Sequence, residues 1–260
     1  IEREVQANPE WERELRELDP SAYCQSTYIK EWANYPVYKN TATQYYPSGE
    51  EMFPAILEAL ESAEHFIFME YFIVEEGYMF GKILDILKRK AAKGLDVRFV
   101  YDDFGCVTTL PAGYYRQMEA WGIRCVRFNP LYPVMSVIMN NRDHRKILVV
   151  DGKVGFTGGI NLADEYINRI ERFGYWKDTG LRLEGEGVWS FTVMFLEMWD
   201  YVYKTRETDL SKFRPETYQT EPFLSDGFVQ PYTDSPLDHE TVGENIYLNI
   251  INRAEKYVYI

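Results

Sequence analysis

Cysteine, basic charge and long apolar runs are all in short supply in this chain of 260 residues. Its three cysteines, Cys24, Cys106 and Cys125, are too few and too scattered for a disulfide framework or a zinc site. They read as reduced, partly buried thiols of a cytosolic setting. Lys and Arg number 28 against 41 Asp and Glu, a formal net charge of −13. Proteins that neutralise nucleic-acid phosphates carry a basic balance or stripe. Nucleic acid is therefore not an expected partner, although a local cationic pocket can still hold one phosphate. No apolar run approaches the roughly 18–20 residues of a membrane-spanning helix, and no signal peptide opens the sequence. What is there is globular: 46% hydrophobic and 27% charged residues, ample for a sizeable core. The first residue is Ile1 rather than Met, so the chain is expected to begin inside a longer gene product, with any membrane anchor upstream.

Residues 1–40 are polar and rich in Glu, Arg, Trp and Tyr. Asn8 as N-cap and Pro9 at the first helical position predict a helix over Pro9–Leu18, so this region reads as an N-terminal helical arm. From Thr41 a strand–helix–strand pattern takes over. Gln44–Tyr46 is a short strand, and Glu50–Ala63 carries Phe53, Ile56, Leu57 and Leu60 at helical spacing. His65–Val74 is a dense apolar run expected to be a buried strand. Phe80–Lys93 is again helical, closed by Gly94, and Asp96–Tyr101 is the next strand. This alternation predicts an α/β layered domain with a mixed, mostly parallel sheet flanked by helices.

The run Arg142–Leu162 reads RDHRKILVVDGKVGFTGGINL. Lys146–Val150 is a strand, Asp151-Gly152 a hairpin turn, and Val154–Thr157 the returning strand. His144 and Lys146 are two apart, so an extended chain projects both from one face. An imidazole and an ammonium side by side suit a tetrahedral anion: Lys146 binds a non-bridging phosphate oxygen while His144 approaches phosphorus. Gly158 and Gly159 let the backbone come close to that phosphate, and Asn161 can donate an amide hydrogen bond. Taken singly, these residues are an ordinary strand-edge histidine, a solvated lysine and a turn. Together His144, Lys146, Asp151, Gly158, Gly159 and Asn161 form H-x-K-x(4)-D-x(6)-G-G-x-N, a highly specific signal.

On these residues the chain resembles the phospholipase D superfamily with its HKD motif, and within it the bacterial cardiolipin synthases. The likeness runs from about Thr41 to Ile260 and includes Tyr175–Gly180 (YWKDTG) and Val242–Tyr259 (VGENIYLNIINRAEKYVY). The resemblance implies that His144 is a nucleophile forming a phosphatidyl-histidine, and that Lys146 and Asn161 hold phosphate oxygens. It also implies that Asp151 supports the site by orientation and charge balance, and that no metal or other cofactor is needed. Members of the family work with two such motifs face to face, the second histidine serving as general acid. This chain has one. His65 and His239 lack Lys and Asp partners and read as structural or surface residues. Either two chains pair, or a second half follows in a longer protein. A weak internal repeat favours the second: Ile56–Met69 (ILEALESAEHFIFM) and Tyr247–Ile260 (YLNIINRAEKYVYI) share a helix, an Ala-Glu and an aromatic strand. Chance likeness of two helix–strand units is the plainer explanation. On the repeat reading, residues 41–225 form a first HKD domain and residues 226–260 start a truncated second one.

Other residues have two readings each. Trp176 and Asp178 resemble a Trp-x-Asp element of the family, or are a core Trp beside a capping Asp. Glu70 lies in an apolar strand, where a carboxylate is costly unless paired. It either meets Lys146 or Arg145, or reaches solvent at the strand end. Asp102-Asp103 reads as a polar loop at a strand terminus rather than a magnesium site. Pro130–Met139 (PLYPVMSVIM) is either a lipid-facing lip or a buried connection. The expected function is a phosphatidyltransferase making cardiolipin from two phosphatidylglycerols at the cytoplasmic face of the membrane. Its partners would then be phosphatidylglycerol or another anionic phospholipid, the membrane surface and a second HKD half. The rivals are a phospholipase D or nuclease on the same scaffold, and a non-catalytic domain that binds anionic lipid. The isolated chain is expected to show little transferase activity.

Overall fold

The computed structural model describes residues 5–131, 141–216, 223, 227–234 and 240–259. At its centre lies β2 (Phe66–Tyr71), whose six residues are all buried. A strand apolar on both faces needs cover on both, and it has it. One face packs against α3 (Gly49–Ser62) and α4 (Tyr78–Ala92), through Ile56, Leu60, Ile83 and Leu87 onto Ile67 and Met69. The other packs against α6 (Val188–Tyr203), through Phe195 and Leu196 onto Phe68. Phe68 and Phe195 stack with ring centroids 4.6 Å apart.

The remaining strands are β1 (Thr41–Tyr46), β3 (Asp96–Asp102), β4 (Arg124–Phe128), β5 (Ile147–Val150), β6 (Val154–Gly158) and β7 (Gly180–Gly185). With β2 they form one sheet in the order β1-β7-β6-β5-β2-β3-β4. Layering, mixed pairing and flanking helices are as expected, but the balance of directions is not. Only β2–β3 and β3–β4 are parallel, whereas the other four pairs are antiparallel. The helical crossovers that enforce parallel pairing are α4 and α5 (Tyr114–Ala120). Beyond β4 the strands are joined by a hairpin and a loop, which return the chain antiparallel.

The expected helices over Pro9–Leu18, 50–63 and 80–93 are present within one to two residues. A helix α2 (Pro20–Ala33) was not anticipated; Asp19 caps it through the N–H groups of Ser21 and Ala22. Its apolar residues lie scattered round the axis, so periodicity hid it, although Asp-Pro is a helix-start signal. Val5, Ile29 and Tyr35 bury these first residues against the α6 side of the sheet. Near the other end, α7 (Val242–Asn252) is helical as the repeat suggested. The expected strand after it is not formed: residues 253–259 are exposed and pair with no strand. Cys106 and Cys125 are buried and reduced, but Cys24 is exposed, contrary to the expected partial burial.

The β5–β6 hairpin turns through Asp151 (φ 51°) and Gly152 (φ 67°), a left-handed pair closed by the Lys153 N–H donating to the Val150 carbonyl at 3.0 Å. The Asp151 carboxylate does more than turn the chain. It accepts the N–H groups of Glu64, His65 and Phe66, each at 2.8 Å, and so anchors the start of β2. We expect Asp151→Ala to cost about 3 kcal/mol of stability, because three charge-assisted bonds vanish. Urea denaturation checks this; a loss under about 1 kcal/mol would show the anchor to be dispensable.

Candidate active site

The β2–β5 ladder starts at Glu70↔Ile147, so the residues just before Ile147 extend past the paired region. Side chains alternate along this stretch. Leu148 and Val150 join the α3/α4 side of the core, Ile147 and Val149 the α6 side. By the same alternation His144 and Lys146 lie towards one face, Asp143 and Arg145 towards the other.

His144 is exposed, its ring 4.7 Å from that of Phe72, just beyond β2. Lys146 is buried, 4% exposed, with its Nζ 5.7 Å from the same Phe72 ring. That ammonium donates to the His144 carbonyl at 2.6 Å, which leaves further N–H donors for an anion. Burial lowers the His144 pKa below its ordinary 6.5, Lys146 adds to the effect, and Asp143 and Asp102 oppose it. Burial also brings Lys146 down to about 8, against Asp143 and Asp178. Near neutral pH the pair is therefore a neutral imidazole beside a largely protonated ammonium.

On the opposite side, Glu70 is wholly buried and meets Arg145, Nη2 to Oε1, at 2.7 Å. This settles its partner as Arg145, not Lys146 or solvent. Arg145 Nε also donates to Asp143 at 3.1 Å. Burial pushes the Glu70 carboxyl up and Arg145 opposes it; the pair of carboxylates holds the guanidinium charged despite its burial.

Three expected contributors sit differently. Asp151 is at the far end of β5, its carboxylate occupied at the start of β2. It is not beside His144 and reaches the histidine only through the strand. The glycine pair admits a close approach by other parts of the protein. A Cβ on Gly158 would lie 2.4 Å from the Thr179 carbonyl oxygen, and one on Gly159 would lie 2.0 Å from Asp178 Oδ1. The Gly159 N–H already donates to Thr179 at 3.1 Å. Asn161 is buried, its Oδ1 accepting from Ile73 N at 2.9 Å and its Nδ2 donating to the Tyr166 hydroxyl at 2.9 Å. It holds the residues after β2, with one amide hydrogen left over.

Asp178 lies over Gly159, close enough to act on Lys146. Trp176 packs against Tyr166 at 4.7 Å and on the core, tied to Asn168 through its backbone. Of the Trp-x-Asp element, the carboxylate is the member nearer the site. His239 lies outside the described residues, as does most of Pro130–Met139. Sequence reasoning missed Phe72, Asp143 and the contacts of Asp102, which is fully buried and not a loop residue. An Asp closing an apolar strand, with Asp103-Phe104-Gly105 directly after it, was the available signal for Asp102.

A family model described as "Cardiolipin synthase, PLD-like domain" matches residues 56–172, a span that includes His144, Lys146, Asp151 and Asn161. The chain is also 38% identical over 230 residues to a cardiolipin synthase of Alkalihalophilus pseudofirmus, covering 86% of this chain and 44% of that protein. The chain belongs to the phospholipase D superfamily. Within that family it is 51% identical over 249 residues to an uncharacterized protein of Streptococcus mutans, covering 95% of this chain and 52% of the relative. It thus spans about half the length of the curated relatives it matches. A solved phosphatidylserine synthase of Haemophilus influenzae Rd KW20 shares the fold, with a TM-score of 0.51 at 14% identity over 73% of this chain and 46% of that one.

The ion pair under the motif should be energetically coupled. In a double-mutant cycle of Glu70→Gln and Arg145→Met, we expect a coupling of about 2–3 kcal/mol in equilibrium denaturation. A coupling within about 0.5 kcal/mol of zero would remove the pair as a structural element.

Proposed function

We propose that this chain is the nucleophilic half of a phosphatidyltransferase that makes cardiolipin from two phosphatidylglycerols through a phosphohistidine at His144. The observation that carries this reading is the exposed imidazole of His144 beside the buried ammonium of Lys146, both against Phe72. A neutral ring nitrogen has a lone pair to offer phosphorus, and a fixed cation stabilises the extra negative charge of the five-coordinate transition state. Membership of the superfamily and the likeness to cardiolipin synthases support a phosphatidyl substrate.

In the first step the His144 nitrogen attacks the phosphorus of one phosphatidylglycerol. An N–P bond forms, the P–O bond to glycerol breaks, and the departing oxygen takes a proton from an acid. In the second step a hydroxyl of another phosphatidylglycerol attacks the same phosphorus and gives its proton to the group that acted as acid. The P–N bond breaks and its electron pair returns to the imidazole. One phosphodiester replaces another, so no nucleotide and no redox partner is consumed. The motif occurs once here, so the acid is assigned to a second HKD half, in the same longer polypeptide or in a second copy. No helix among the described residues is long and apolar enough to cross a membrane. The lipid is met at a membrane surface, which we assign to the cytoplasmic face, and the net charge of −13 weighs against a nucleic-acid substrate.

A phosphatidyl p-nitrophenyl ester tests the first step without the missing acid, because its leaving group departs unprotonated. We expect a stoichiometric nitrophenolate burst, phosphate label on His144, and no burst in His144→Asn. With the second HKD half restored, phosphatidylglycerol added afterwards should discharge the adduct to cardiolipin; discharge to phosphatidic acid alone would make the protein a hydrolase. Label on another residue overturns the reading. The burst rate should be bell-shaped in pH. It rises as His144 loses its proton, below the ordinary 6.5, and falls above about 8 as Lys146 loses its charge. A rate still climbing beyond pH 9 would exclude Lys146 as the required cation.

A further inference from the structure

The residues directly before Ile147 belong to no strand, so no ladder sets the backbone at His144. Side chains supply the restraint instead. Asp102, the last residue of β3, is 0% exposed. Its Oδ2 accepts the Asp143 N–H at 3.0 Å. Its Oδ1 accepts the N–H groups of Phe104 and Gly105 at 2.9 and 3.0 Å, and the Arg142 guanidinium at 3.2 Å. Arg142 reaches on to the Asn129 carbonyl at 2.9 Å. Both residues that precede His144 are therefore tied to one buried carboxylate.

We propose that Asp102 is a positioning residue for His144, fixing through the Asp143 N–H and the Arg142 guanidinium the unpaired segment that presents the imidazole. A carboxylate suits this place because both of its oxygens must accept. Asn would turn one of them into a donor facing a backbone N–H, and Glu would carry the charge one methylene further into a filled space. Charge adds a second contribution. The groups facing His144 are Lys146 and Asp143 from its own segment and Asp102 from β3. Arg142 and Arg145 flank it, each already paired with a carboxylate, and Phe72 is uncharged. Asp102 and Asp143 favour the imidazolium against Lys146 and burial, so removing the Asp102 charge lowers the His144 pKa further. The kinetic consequence rests on His144 being the nucleophile; the geometric one does not.

The chain has three histidines, His65, His144 and His239, so NMR titration of the imidazole resonances reads His144 directly. We expect Asp102→Asn to shift the His144 ring resonances and to lower its pKa. The nitrophenolate burst at saturating ester should slow by about tenfold or more, with the half-saturating ester concentration within about twofold of wild type. Asp96→Asn is the control. That carboxylate sits at the opposite end of β3, bound to Arg98 and Arg124 at 2.7 and 3.3 Å, with no contact to the His144 segment. It should leave titration and burst unchanged. Arg142→Met, which keeps the Asp143 bond, should give a smaller change of the same kind. A wild-type titration and a burst within twofold of wild type in Asp102→Asn overturn the proposal; if that variant fails to fold, the same result in Arg142→Met does so. A wild-type chain without any burst would refute the nucleophile and leave the titration alone to decide the position.

Discussion

Arg145 meets a fully buried Glu70 across the end of the β2–β5 ladder, and the rest of the site follows from that contact. A buried carboxylate in an apolar strand costs several kcal/mol unless a cation reaches it. Only one register of β5 brings Arg145 to Glu70. A slip by one residue would present His144 or Lys146 to the buried carboxylate and turn Arg145 outwards. The pair therefore acts less as a source of stability than as a device for register. It holds one face of the segment against Glu70 so that His144 and Lys146 share the alternate face, beside Phe72.

Burial then differentiates the two residues on that face. Both pKa values fall because burial penalises charge, but the starting points differ, so the outcomes at neutral pH are opposite. The imidazole becomes more surely neutral and the ammonium stays mostly protonated. The same burial thus suits the imidazole to the nucleophilic role proposed for it and keeps a cation beside it. The surrounding protein does not help an anion to arrive, because the chain as a whole carries a net charge of −13. Long-range steering opposes a soluble polyanion, and holding a phosphate falls to short-range contacts such as the free donors of Lys146.

The motif and its hairpin were legible because their signals are local. The His-x-Lys spacing, the aliphatic run Ile147–Val150 and Asp151-Gly152 specify a strand, a face and a turn without reference to the rest of the chain. What was not legible depended on distant partners. Helical and strand periods do not say which strands pair, so the mostly antiparallel sheet emerged only from the connections after β4. Gly158 and Gly159 advertised close approach, but not that Thr179 and Asp178 do the approaching. Asp151 looked like part of a reaction centre because it keeps a fixed distance from His144 in sequence. In space that distance is the length of β5.

The separation also explains how a residue remote from the imidazole can matter to it. β5 has only four residues, and so short a strand offers few ladder bonds to resist sliding or fraying. It is held instead at both ends by carboxylates that accept main-chain N–H groups. At one end Asp151 takes the three N–H groups that open β2. At the other Asp102 takes the N–H of Asp143 while Glu70 holds Arg145. Every one of these anchors runs to β2, to β3 or to the turn leading into β2, that is, to the strand paired with β5 and the next one beyond it. His144, the proposed nucleophile, is thus carried on a short strut pinned at both ends to neighbouring strands, and Asp151 holds the end remote from it.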